Sequence, residues 1–133
     1  MAYLKRFGPG FKNGVMPGDL LDRAFAYFNG GLSYVSGLTA LAGGAKAGAT
    51  PLTELICQVD TVASGADSVL LPAAIPGSMV AVVNNGANAM QVFGQGTDTI
   101  NGVATGTGVS QAAGKTALYV CAKTGAWFRN LSA

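Results

Sequence analysis

From Thr53 onward the chain is cut into short apolar runs by turn residues, and no other feature restricts its fold so tightly. The runs cover residues 54–63, 68–71, 78–84, 89–93, 99–101, 108–110, 116–122 and 126–131. Between them stand Ser64-Gly65-Ala66-Asp67, Pro76-Gly77, Asn84-Asn85-Gly86, Gly94-Gln95-Gly96, Asn101-Gly102, Ala113-Gly114 and Thr124-Gly125. Each run is too short for a stable helix and is bounded by residues that favour tight turns, so the pattern predicts strands. Many short strands at this spacing predict a mainly β chain, folded as an antiparallel β-sandwich or a jelly-roll-like barrel. Asn85-Gly86, flanked by two such runs, predicts a β-hairpin. In residues 116–122 both alternating sets are apolar, Ala117, Tyr119 and Cys121 on one side and Leu118, Val120 and Ala122 on the other. That strand is expected to be buried on both faces, as in a packed interface. Trp127 is expected to close the base of the barrel against Tyr119 or Phe93.

The residues before the β runs have a different character. Residues 1–18 carry Lys5, Arg6 and Lys12 among Tyr3, Phe7 and Phe11, with no acid and several glycines and prolines. Such a segment builds neither a helix nor a core of its own and reads as an extended arm. A short helix is expected over about 19–28, capped by Asp19, with Leu20, Leu21, Ala24, Phe25 and Phe28 on one face. Asn29-Gly30-Gly31 ends it. A short strand near Tyr34 and a loop follow. The expected division is an arm, helix and loop over 1–50 and a β domain over 51–133.

Charge narrows the function. Only 11% of residues are charged, the net charge is +2, and histidine is absent, against about 25% charged residues in an ordinary soluble domain. Between Ser68 and Gly114 the sole formal charge is Asp98. A small protein with so few charges is poorly protected from self-association, which points to an obligate assembly subunit. The longest apolar stretch, 69–83, holds two prolines and falls short of the roughly 20 residues of a membrane-spanning helix. The start of the chain has basic residues but no apolar run of the secretory type, so a signal peptide is not expected and synthesis in a cytoplasm is. Cys57 and Cys121 make neither a disulfide framework nor a CxxC pair.

The residues offer little for catalysis. Without histidine there is no Ser-His-Asp or Cys-His arrangement. The carboxylates Asp19, Asp22, Glu54, Asp60, Asp67 and Asp98 are scattered, and an Asp60/Asp67 calcium turn lacks the dense ligand spacing such loops need. Gly94-Gln95-Gly96 does not lie between a strand and a helix, so it is not a phosphate loop. No catalytic residue, cofactor or metal site is expected. Direct nucleic-acid binding is not expected either, because the basic cluster is confined to Lys5, Arg6 and Lys12.

The second half of the chain carries a series of pieces in a definite order. These are Leu71-Pro72, Pro76-Gly77, Asn85-Gly86-Ala87-Asn88-Ala89, Val92-Phe93, Ile100-Asn101-Gly102, Ala112-Ala113-Gly114-Lys115 and Trp127. This order resembles a β module of tailed-bacteriophage virion proteins, found in head-decoration (cement) and fibre components. The resemblance implies a non-enzymatic virion protein. With the chain's small size it leads to a capsid decoration protein that binds the major capsid protein lattice and stabilises the head. The expected partners are the major capsid protein and copies of the chain itself, as dimer or trimer, on the capsid exterior and away from any membrane, after synthesis in the bacterial host's cytoplasm. The expected contact residues are Tyr3, Lys5, Arg6, Phe7, Phe11, Lys12, Leu21, Phe25 and Phe28. A short head fibre or a tail or baseplate adaptor is the alternative. A receptor- or carbohydrate-binding β-sandwich, using Tyr119, Phe93 and Trp127 as a platform, is a further one.

Overall fold

A computed structural model describes residues 32–133. The arm over 1–18 and the helix over 19–28 lie outside these residues, as do all nine expected contact residues. The described part is a β unit beginning at Ser33.

Ten strands form two mixed sheets. They are β1 (Tyr34–Thr39), β2 (Thr50–Pro51), β3 (Ile56–Thr61), β4 (Ser68–Leu70), β5 (Met79–Asn84), β6 (Met90–Phe93), β7 (Thr99–Ile100), β8 (Val109–Gln111), β9 (Thr116–Lys123) and β10 (Ala126–Leu131). The long sheet has the order β1-β3-β5-β9-β10-β7, and the short sheet β2-β4-β6-β8. Every run read as a strand from the sequence is a strand here, and Thr50–Pro51, read as loop, is one more.

The mainly β expectation holds, but the antiparallel sandwich or jelly roll does not. The first six strands alternate between the sheets and pair in parallel, β1 with β3 and β3 with β5 in the long sheet, β2 with β4 and β4 with β6 in the short one. The chain therefore winds as a solenoid-like coil of three turns, each giving one strand to each sheet. Only then does it reverse. β8 runs antiparallel to β6, β9 to β5, and β10 to β9. The hairpin expected at Asn85-Gly86 is a corner of the coil, since β5 and β6 belong to different sheets. A tight two-residue hairpin turn of the Asn-Gly kind needs positive φ at both residues, and neither Asn85 nor Gly86 has it. Gly86 serves close packing instead, because a Cβ there would stand 2.7 Å from the Val62 side chain. The two-residue turn geometry appears at Asn101-Gly102, with φ of 50° and 73° and an Ile100–Val103 bridge across it. Val109 pairs with Val92 in the short sheet.

The corners of the coil repeat in sequence. Gly44-Ala45-Lys46, Gly65-Ala66-Asp67 and Gly86-Ala87-Asn88 recur at equal intervals. The third residue of each ties its corner down in its own way. Asp67 is buried and accepts from the backbone N–H of Ala63 (2.7 Å) and the Ser64 hydroxyl (2.7 Å). These donors hold its carboxyl below the usual carboxylate range, the Ser64 hydroxyl contributing most. Asn88 donates to the carbonyls of Val62 and Ala63 in the preceding corner. Lys46 donates to Gly96 O (2.6 Å) and Thr105 O (2.9 Å) in the loop after β6.

The core lies between the sheets. Cys57, Val82 and Ala117 stand in one row of the long sheet and Val69, Val92 and Val109 in one row of the short sheet, all buried. Trp127 and Tyr119 are fully buried in the same cluster, and the Trp127 indole N–H donates to Pro72 O at 3.2 Å. Phe93 is not Trp127's partner, because it lies on the opposite face of β6 from the core residues Met90 and Val92.

A buried polar seam joins the two sheets. The Tyr119 hydroxyl donates to Gln111 Oε1 (3.1 Å), and the Gln111 amide donates to Val82 O (2.8 Å). The Asn84 amide donates to Gln111 O (2.9 Å), while its oxygen accepts Gly86 N–H. Burial pushes the Tyr119 hydroxyl up to about 12. Among the described residues every buried side-chain N and O atom has a partner, as a stable interior requires.

Candidate interaction surface

Alternation along a strand sends successive side chains to opposite faces, so the register fixes what the long sheet presents outward. One row across it reads Tyr34, Ile56, Ala81, Leu118 and Asn130. The next reads Met79, Val120 and Phe128. Tyr34 is 73% exposed, Phe128 48%, Met79 46% and Leu118 37%. These two rows contain no formal charge. Residues 116–122, expected to be buried on both faces, are therefore buried within the chain on one face only. Ala117, Tyr119 and Cys121 go inward, while Leu118 and Ala122 are exposed.

The border of this face is polar. Gln58, Val83 and Thr116 form the row beside it. Asp60, on the same side of β3 as Ile56 and Gln58, accepts from the Asn85 amide (2.7 Å), the Gln58 amide (2.8 Å) and Gly37 N–H (2.6 Å). These bonds, Asn85 first, hold its carboxyl below the usual range. One carboxylate thereby ties together three successive turns of the coil. Asp67 is engaged separately, by the backbone and hydroxyl donors of its own corner. No group of three or more Cys, Asp or Glu side chains converges among the described residues.

The short sheet differs. Its outward row is Pro51, Leu70 and Phe93, yet Phe93 is only 5% exposed. The chain folds its own loop over it, so close that a Cβ on Gly108 would lie 3.0 Å from the Phe93 ring. The Lys46 ammonium and the Thr105 hydroxyl, which donates to Gly96 O at 2.9 Å, hold that loop closed. An open cleft of about 350 Å³ remains beside it, between Pro51-Leu52-Thr53 and Leu70-Leu71-Pro72, with Gln95 at its side. None of its lining is aromatic or charged. Tyr119, Phe93 and Trp127, on which a sugar platform would rest, are all buried.

Cys57 and Cys121 are free thiols in the core, and burial pushes the Cys57 thiol up. They pack as small apolar groups. No described helix is long and apolar enough to cross a membrane.

The outward face of the long sheet was not singled out from the sequence. The double apolar alternation in β9 is its one visible signal in the sequence, and it points to a packed interface as much as to a core. Compared with protein-family models, with curated proteins and with solved structures, the chain finds no match in any of the three.

Proposed function

We propose that the chain is a non-catalytic capsid decoration (cement) protein that binds the major capsid protein lattice of a tailed phage and stabilises the head. One observation supports this above the rest: among the described residues two adjoining apolar rows of a sheet face, free of formal charge, lie open on a β unit whose charges balance. Among residues 32–133 the acids Glu54, Asp60, Asp67 and Asp98 are matched by Lys46, Lys115, Lys123 and Arg129. A body without net charge and with such a face is suited to permanent association rather than to life as a free monomer. The order of sequence pieces shared with virion β modules supplies the phage context. The excess positive charge lies in the first 31 residues, where Lys5, Arg6 and Lys12 stand among Tyr3, Phe7 and Phe11 and precede Leu21, Phe25 and Phe28. In this reading those residues grip the capsid surface.

The test is co-sedimentation of the purified protein with capsids of a candidate phage, full-length and with residues 1–18 deleted. Saturable binding near one copy per capsid subunit, lost on deletion, is the expected result. A second reading, a short head fibre or tail adaptor, draws on the coil itself, because parallel turns stack along one axis. A stable free oligomer that ignores capsids and binds a tail component would favour it.

A further inference from the structure

We infer that the outward face of the long sheet is the contact between copies of this chain, each packing Met79, Leu118, Val120 and Phe128 against the same residues of a second copy. This deepens the assembly-subunit reading and rests on it, but it concerns a surface distinct from the residues proposed to hold the capsid.

Three features of the molecule lead to the second copy as occupant. The first is contrast within one chain. The protein covers Phe93, on the outer face of its short sheet, with its own loop and a lysine clip. Among residues 32–133 nothing lies over the equivalent face of the long sheet, so its covering comes from outside those residues.

The second feature is charge. The rows Tyr34-Ile56-Ala81-Leu118-Asn130 and Met79-Val120-Phe128 have no formal charge, so they offer nothing by which a charged foreign surface would be chosen. The border residues Asn130, Gln58 and Thr116 carry both donors and acceptors and can pair with their own copies across a two-fold axis. Such self-complementarity is what an isologous interface requires.

Size is the third. Four strands of about six residues, spaced about 4.8 Å and rising about 3.3 Å per residue, present a footprint of roughly 20 Å by 20 Å. Side-chain relief raises its accessible area toward the roughly 800 Å² that one partner gives to a standard interface. Two such faces would pack about 10 Å apart, as sheets do in a sandwich.

Strand addition at the edges is the competing geometry, and the two edges at the first turn of the coil oppose it. In β1 the positive φ of Gly37 (75°) coincides with a register break between Val35 and Leu38, a bulge that bends the edge away from a new neighbour. At the same end of the short sheet the edge strand holds Pro51, which lacks a donor.

The experiment is sedimentation velocity on the full-length protein across about 1 to 100 µM, with Phe128→Lys, Leu118→Lys and, as control, Ser110→Lys on the outer side of the short sheet. Circular dichroism and thermal melts confirm that each variant folds. The wild type and Ser110→Lys are expected to be oligomeric, and Phe128→Lys and Leu118→Lys monomeric, the dissociation constant rising at least 100-fold. A wild type that stays monomeric throughout overturns the inference, whatever else covers the face. Wild-type-like oligomers of both face variants overturn it too, because the contact then lies elsewhere. The same variants added to capsids separate the two readings: a monomeric variant that still sediments with capsids leaves capsid binding intact, while failure of all chains to bind capsids sinks that reading alone.

Discussion

The two sheets of this molecule have outward faces of similar chemistry and opposite fates. On the short sheet Phe93 stands outward and is 5% exposed; on the long sheet Phe128 stands outward and is 48% exposed. The difference lies in connection length and corner chemistry rather than in the strands. After β6, residues 94–108 run out to the edge of the long sheet at β7 and come back past Phe93, and Lys46 from a different turn of the coil ties the two ends of this excursion together at Gly96 and Thr105. The strands of the long sheet's reversed half, β9 and β10, are joined by Thr124-Gly125 alone, and no segment passes over them among the described residues. A covered face contributes to the stability of one chain, while a bare face is available to stabilise an assembly.

That contrast can be broken directly. Phe93→Ala removes an aromatic ring from under its loop and is expected to cost about 3 kcal/mol of folding stability, as buried Phe truncations do. Chemical denaturation of that variant, beside Phe128→Ala, would show a loss in the first and a change within about 0.5 kcal/mol in the second for the monomer. Equal losses would mean that the two faces are not differently covered.

A pH titration sharpens the comparison from the inside. Tyr119 bridges the long sheet to Gln111 of the short sheet, and its hydroxyl is raised from an ordinary value of 10.0 to about 12. Because the folded value lies above the unfolded one, the neutral hydroxyl contributes stability that is fully present below about 10. It is lost as pH rises through about 12, by on the order of 2 kcal/mol. Denaturation monitored with tyrosinate absorbance should show this alkaline loss in the wild type, and Tyr119→Phe should lack it.

The smallest effect is expected at the clip. Lys46→Ala removes the donor to Gly96 O and Thr105 O and is expected to cost about 1 kcal/mol. Hydrogen exchange should rise in residues 94–108 and stay unchanged in β9 and β10. Uniform exchange across both sheets would show that Lys46 does not close the loop.

Much of this was legible in the sequence, and the missing parts have physical causes. Strand positions followed from alternation and turn residues, and even the short strand at Tyr34 could be read. Topology could not, because alternation records which side of a strand is buried and says nothing of which strand lies beside it. Asn85-Gly86 misled for a related reason: the pair is a hairpin signal through positive φ, but here Gly86 is selected by the nearness of Val62. The equal spacing of Gly-Ala-Lys46, Gly-Ala-Asp67 and Gly-Ala-Asn88 was available and marks the coil, yet the third residue changes charge at every turn and conceals the repeat. The two apolar sides of β9 point to an interface as much as to a core, because apolar character does not distinguish a core from a contact awaiting its partner.

Those recurring corners also bear on how such a molecule can change size. The corner at Asp67 is tied within its own turn and the corner at Asn88 to the turn before it. Duplicating one turn of the coil would add one strand to each sheet and move the reversed cap outward by about 4.8 Å. The bare face would widen by the same step, so a longer relative would gain grip on its neighbour without needing a new kind of contact.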